Sequence, residues 1–111
     1  MEDRIRESDW KQFGKLRTLA LDRFCQNVLD EIGRLAQDSS KGSHERYLEV
    51  YRRLQERDKQ LADMFDDVRR SIAPLHLARI RSEQLLTDEE FAQFSEDLRT
   101  AVQRYLDIHD A

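Results

Sequence analysis

From Phe13 to Ile108 the apolar residues of this chain recur three or four positions apart, and that period constrains the fold more than any other feature. A stripe at this spacing lies on one face of an α-helix, whereas strands need alternation. Phe13, Leu16, Ala20, Phe24, Val28, Ile32 and Leu35 form the first such row, widened by Leu19, Leu21, Cys25, Leu29 and Ala36. Tyr47, Tyr51, Leu54, Asp58, Leu61, Phe65, Val68 and Ile72 form a second, with a period near three and a half that is characteristic of a coiled-coil seam. Asp58 is its one discordant member, placed at the seam edge within reach of a cation from the first helix. Phe91, Phe94, Leu98, Ala101, Tyr105 and Ile108 form the third. With three glycines and one proline in 111 residues, the turns of a many-stranded sheet have nothing to be built from.

Punctuation divides the rows. Ser8 and Asp9 suit a helix start, so residues 1–7 are expected to be frayed and a first helix to run from Ser8 to Gln37, with Gly14 as its weak point. This helix is expected to be the most buried. Asp38-Ser39-Ser40-Lys41-Gly42-Ser43 is a polar loop short enough to make the flanking helices an antiparallel hairpin. The second helix is expected over His44 to Ala73. There Pro74, the only proline, predicts a break or kink between Ser71 and Leu75, because inside a helix it removes a backbone donor and clashes with the preceding turn. A third helix follows over Leu75 to Gln84, and Thr87-Asp88-Glu89-Glu90 reads as a capping box that starts a last helix over Asp88 to Ile108, with Leu86 and Phe91 as its hydrophobic staple. The reading is all-α: one domain, a helical hairpin completed into a three- or four-helix bundle.

Charge and cysteine content narrow the function classes. The net charge of −4 conceals a slightly basic middle, ten cations and eight anions over 39–86, and an acidic end, two and seven over 87–111. Cys25 is the only cysteine, so no disulfide forms within the chain; with no apolar core for a leader in the first residues and no span-length apolar run, a cytoplasmic setting is expected. Glu-x-x-His, the spacing that di-iron bundles use, occurs nowhere, and His44, His76 and His109 stand far apart. No metal or cofactor is expected. Cys25 sits among Leu21, Phe24, Val28 and Leu29, a packed setting rather than that of a reactive thiolate, and no catalytic motif is present.

Arg46, Arg53 and Arg57 share one helical face and make a candidate anion-binding ridge for a ligand- or nucleic-acid-binding regulator. Interleaved Glu45, Glu49 and Glu56 argue for an ordinary paired face instead. In a hairpin turning at 38–43, Trp10 and Phe13 lie at the open end and Tyr47 and Tyr51 near the tip, so these aromatics do not form one pocket. The blocks Ser8-Asp9-Trp10-Lys11-Gln12-Phe13 and Ala20-Leu21-Asp22-Arg23-Phe24-Cys25 resemble small all-helical proteobacterial proteins with no assigned activity, and the resemblance implies a bacterial cytoplasmic protein. The leading expectation is a non-enzymatic interaction or regulatory module. A third helix of about 15 Å and a last helix of about 31 Å span the hairpin only end to end, so apolar surface at Leu77, Ile80, Phe94 and Leu98 is expected to stay open and to pair two chains as a homodimer.

Overall fold

A computed structural model describes residues 5–110. The protein is all-α: α1 (Glu7–Ala36), α2 (Ser43–Phe65), a 3-10 turn (Arg70–Ile72), α3 (Ala73–Ser82), α4 (Asp88–Phe91) and α5 (Glu96–Asp110), with no strand among the described residues. No helix among the described residues is long and apolar enough to cross a membrane. α1 and α2 pack antiparallel, and α3 lies between them and α5. The molecule measures 57 × 26 × 23 Å, and its radius of gyration of 16.9 Å exceeds the roughly 13 Å of a compact domain this size.

The elongation has a simple origin. Every buried apolar residue lies at one end: Phe13, Leu16, Ala20 and Phe24 of α1, Met64 and Phe65 closing α2, and the segments from Ala73 to Val102. From Cys25 to Asp63 no residue is buried. A helical head is thus joined to a two-helix arm. The α1 stripe supplies core residues only as far as Phe24, and α3 is the most buried helix, with five of its ten residues in the interior. Residues 1–4 of the stretch expected to be frayed lie outside the described residues; Ile5 packs on the core, and Arg70 donates two hydrogen bonds to its carbonyl.

Two helix ends differ from the sequence expectation, and both are set by distant side chains. α2 stops at Phe65, eight residues before Ala73, because the carbonyls of its last turn find other donors. Arg79 takes Asp63 O at 2.9 Å, Arg17 takes Phe65 O, and His76 reaches Met64 O at 2.8 Å through Nδ1. Since a carbonyl only accepts, Nδ1 of the buried His76 carries the proton. Pro74 then falls in the first turn of α3, where a missing N–H costs nothing. The last helix is likewise divided. Ser95 caps α5, its Oγ accepting Leu98 N–H, and is itself held by buried Asp9, which accepts Ser95 N–H at 2.9 Å and the Ser95 hydroxyl.

The Thr87–Glu90 capping box is complete, with Glu90 N–H donating to Thr87 Oγ1 at 3.1 Å and Thr87 N–H to Glu90 Oε1 at 2.8 Å. Glu90 also forks onto Arg23 of α1 at 2.6 and 2.9 Å, and Arg23 donates to Leu85 O. Arginine serves the backbone elsewhere too: Arg17, Arg23, Arg46, Arg70, Arg79, Arg81 and Arg99 each donate to a main-chain carbonyl at a helix end or loop.

α3 ends in a Schellman turn, with Leu85 N–H bonded to Ile80 O and Gln84 N–H to Arg81 O, and Gln84 occupies the left-handed region at φ 58°. Glycine suits that position without a Cβ clash. Gln84→Gly is expected to stabilise the protein by roughly 1 kcal/mol, read as a higher melting temperature in a thermal denaturation series. An unchanged or lower melting temperature contradicts the strain assigned here.

Candidate interaction surface

The four residues expected to form an open self-association surface are interior to one chain: Leu77, Ile80, Phe94 and Leu98 are each at most 4% exposed. α3 and α5 lie side by side rather than end to end, and the irregular segments at 66–72 and 83–87 give the chain room to fold back on itself and cover these residues. Apolar surface is open elsewhere, on the arm.

There the second seam faces the wrong way for a self-contained hairpin. The inner face of α2 carries Arg46, Val50, Arg53 and Arg57, none fully exposed, while Tyr47, Tyr51 and Leu54 point outward. Glu31 of α1 decides this rotation. Arg57 binds it through Nε at 2.8 Å and Nη2 at 3.0 Å, and Arg53 adds a further ion pair to its Oε2. These arginine contacts, that with Arg57 first, hold the Glu31 carboxyl down at about 2 against the opposing effect of burial. At the tip Arg46 donates to Ala36 O at 2.8 Å, satisfying the C-terminal end of α1, and Lys41 pairs with Glu49. The anion-binding ridge expected at Arg46, Arg53 and Arg57 is therefore not formed. All three cations are engaged inside the hairpin and turned toward α1.

A depressed carboxylate pKa means that the folded state favours the ionised form, so the stability it contributes is present above the ordinary value and lost as pH falls toward the folded one. Glu31, which staples the arm, and Glu90, which Arg23 and the Thr87 N–H hold at about 2, act in the same window. Acid titration is expected to loosen arm and head together between about pH 4.5 and 2. Glu31→Gln removes the arm's share only, and should shift proteolytic cleavage in 38–60 while sparing the head. Equal protection of the arm in wild type and Glu31→Gln opposes this assignment.

The outward face is an apolar stripe on both helices. Leu29 is 63% exposed, Tyr47 65%, Tyr51 52% and Leu54 45%. Between them runs a groove of about 240 Å³ lined by Phe24, Cys25, Val28, Leu29, Leu54 and Leu61, with Asp58 and Arg57 on its margin. Asp58 is exposed and makes no ion pair among the described residues, so the cation expected from α1 does not reach it. Cys25, the half-buried free thiol, lies in the same groove. Tyr47 and Tyr51 belong to the arm and Trp10 and Phe13 to the head, where the latter pair packs tilted with ring centroids 5.9 Å apart. The period of 47, 51 and 54 was legible in the sequence; the side of the helix it occupies was not.

A second cleft, of about 360 Å³, lies between the end of α2, α3 and α5, with Met64, Leu75, Ala78 and Leu106 as its floor and Gln60, Ser82 and Tyr105 on its rim. Arg79 at its edge is held by Asp63 O. Among the described residues no three His, Cys, Asp or Glu side chains converge as metal ligands. No protein-family model matches the chain, and no curated protein or solved structure shows significant similarity to it.

Proposed function

We propose that this chain is a small interaction module: a hairpin closed at one end into a helical bundle, with the projecting arm as the working part. One observation carries the reading. Two tyrosines and two leucines stand open on a two-helix arm that no other described residue covers, whereas monomeric proteins seldom leave contiguous apolar patches beyond a few hundred Å² without a use for them. Tyrosine supplies contact area at small entropic cost, which suits a recognition face. The ion pairs of Glu31 fix the rotation of α2 and thereby present the stripe before any partner arrives, and preorganisation of this kind lowers the entropy lost on binding. A bacterial cytoplasm is the proposed setting, on the resemblance of the two N-terminal blocks and the single cysteine.

Site-specific photocross-linking in the source cell tests the reading. A photoreactive phenylalanine analogue at Tyr51 is expected to give a discrete adduct that Leu29→Glu abolishes, and the same group at exposed Lys11 of the head none. Adducts of equal yield from both positions, or none from Tyr51, reject the arm as the working surface.

A further inference from the structure

We infer that the stripe on the arm is covered by the same stripe of a second copy, so that two hairpins pair into a four-helix bundle about a two-fold axis near Tyr51. The inference rests on the arm being the interaction surface and names its partner.

Three observations favour another copy over an unrelated chain. The first is area. From the exposures of Leu29, Tyr47, Tyr51 and Leu54, the stripe leaves on the order of 400 Å² of side chain open, so two copies bury on the order of 800 Å² from these residues alone. Cys25, Val28 and Leu61, half-buried along the same groove, bring the total to the roughly 1,000 Å² at which specific interfaces begin. The second is period. Tyr47, Tyr51 and Leu54 continue through Asp58 to Leu61 at the alternating spacing that meshes with a helix of like spacing, and an identical arm presents that row with matching length. The third is shape. The stripe is borne by both helices and centred about midway along the arm, which permits an isologous contact in which a residue headward of the axis meets one tipward of it on the mate and only Tyr51, beside the axis, meets its own copy.

The orientation follows from the head. The head occupies one end of the long axis, so the axis runs across the hairpins and sets the two heads at opposite ends, clear of each other. In that arrangement the aromatic middle of one stripe lies over that of its mate, and Asp22 and Asp58, exposed at the headward end, lie toward the partner's tip rather than against each other. Placing both heads at one end instead puts four carboxylates level, and like charges so placed repel.

Sedimentation equilibrium of the purified full chain up to about 100 µM tests the pairing, because an interface of this size is expected to hold in the micromolar range. A concentration-dependent dimer is expected for the wild type, and at least about a tenfold weaker association for Tyr51→Glu and for Leu29→Glu, substitutions on different helices at exposed positions that leave the head's melting unchanged. Cys25 provides a second readout: its alkylation rate should fall as the wild-type chain is concentrated and stay constant in Tyr51→Glu. In a Cys25→Ser background, Tyr51→Cys should oxidise to a cross-linked dimer, as a residue beside the axis must. A chain monomeric throughout, or a dimer unaffected by both glutamate substitutions, overturns self-pairing. The photoadduct separates this failure from that of the arm itself: an adduct to a different protein keeps the arm as the working surface and ends the claim that a second copy covers it.

Discussion

Replacement of Phe94 by aspartate is expected to unfold the head and not to release a smaller folded species. Phe94 is 2% exposed, packs edge-on against Phe91 with ring centroids 6.2 Å apart, and belongs to the same buried cluster as Leu98 and Val102. Truncating a buried phenylalanine costs about 3–5 kcal/mol, and a carboxylate placed in the same site adds the cost of burying a charge. A domain of this size has about 5–15 kcal/mol in total, and each kcal/mol moves the melting temperature by several degrees. A fall of 20 °C or more, roughly, is therefore expected in a circular dichroism melt, or loss of the folded protein altogether. An unchanged melting temperature with a halved mass would restore Phe94 to an intermolecular surface and refute the packing described.

Asp9→Ala should destabilise nearly as much as a core truncation, although Asp9 sits in the first turn of a long surface helix. Its carboxylate, 4% exposed, bridges 86 residues of sequence to hold the Ser95 N–H at 2.9 Å and the Ser95 hydroxyl that in turn caps α5. Alanine leaves a half-buried main-chain donor and a hydroxyl without their acceptor, at about 1–3 kcal/mol, equivalent to roughly 5–15 °C in melting temperature. Ser95→Ala removes the hydroxyl alone and should cost less, and Asp9→Asn, which keeps one acceptor oxygen, should recover part of the loss. The Asp9→Ala, Ser95→Ala pair is expected to be strongly non-additive, since both substitutions break one network. Simple additivity, or a loss within a degree or two for Asp9→Ala, would show that α5 is positioned by its apolar contacts alone.

These two residues mark where sequence reasoning reached and where it stopped. Phe94 was correctly placed on an apolar helical face, yet whether the face meets the chain's own α3 or another molecule depends on where neighbouring helices end. Asp9 reads locally as part of a helix start; its partner, Ser95, lies 86 residues on. Ser95-Glu96-Asp97 does carry a start signal of its own, a serine followed by two acids, but the apolar row running through Phe91, Phe94 and Leu98 masks it. The arm's stripe was visible as a period while its exposure was not, because the positions 47, 51, 54 and 46, 50, 53, 57 both make acceptable inner faces.

Interactions between residues a few positions apart can be read from the sequence. The helical class follows from apolar period and sparse glycine and proline, the turn at 38–43 from its composition, the apolar face of α1 from its row of Phe13 to Leu35, and the start of α4 from the Thr87–Glu90 box. Where α2 stops, where α5 starts and which side of α2 faces α1 depend instead on long-range contacts. The donors and acceptors that settle those points, Arg17, His76 and Arg79 on the last carbonyls of α2, Asp9 on Ser95, and Glu31 on Arg53 and Arg57, come from segments distant in sequence. A helix end needs partners for the backbone groups it frees, and an amphipathic helix turns toward whichever face its neighbour satisfies best. Both outcomes are fixed by contacts that no local spacing encodes.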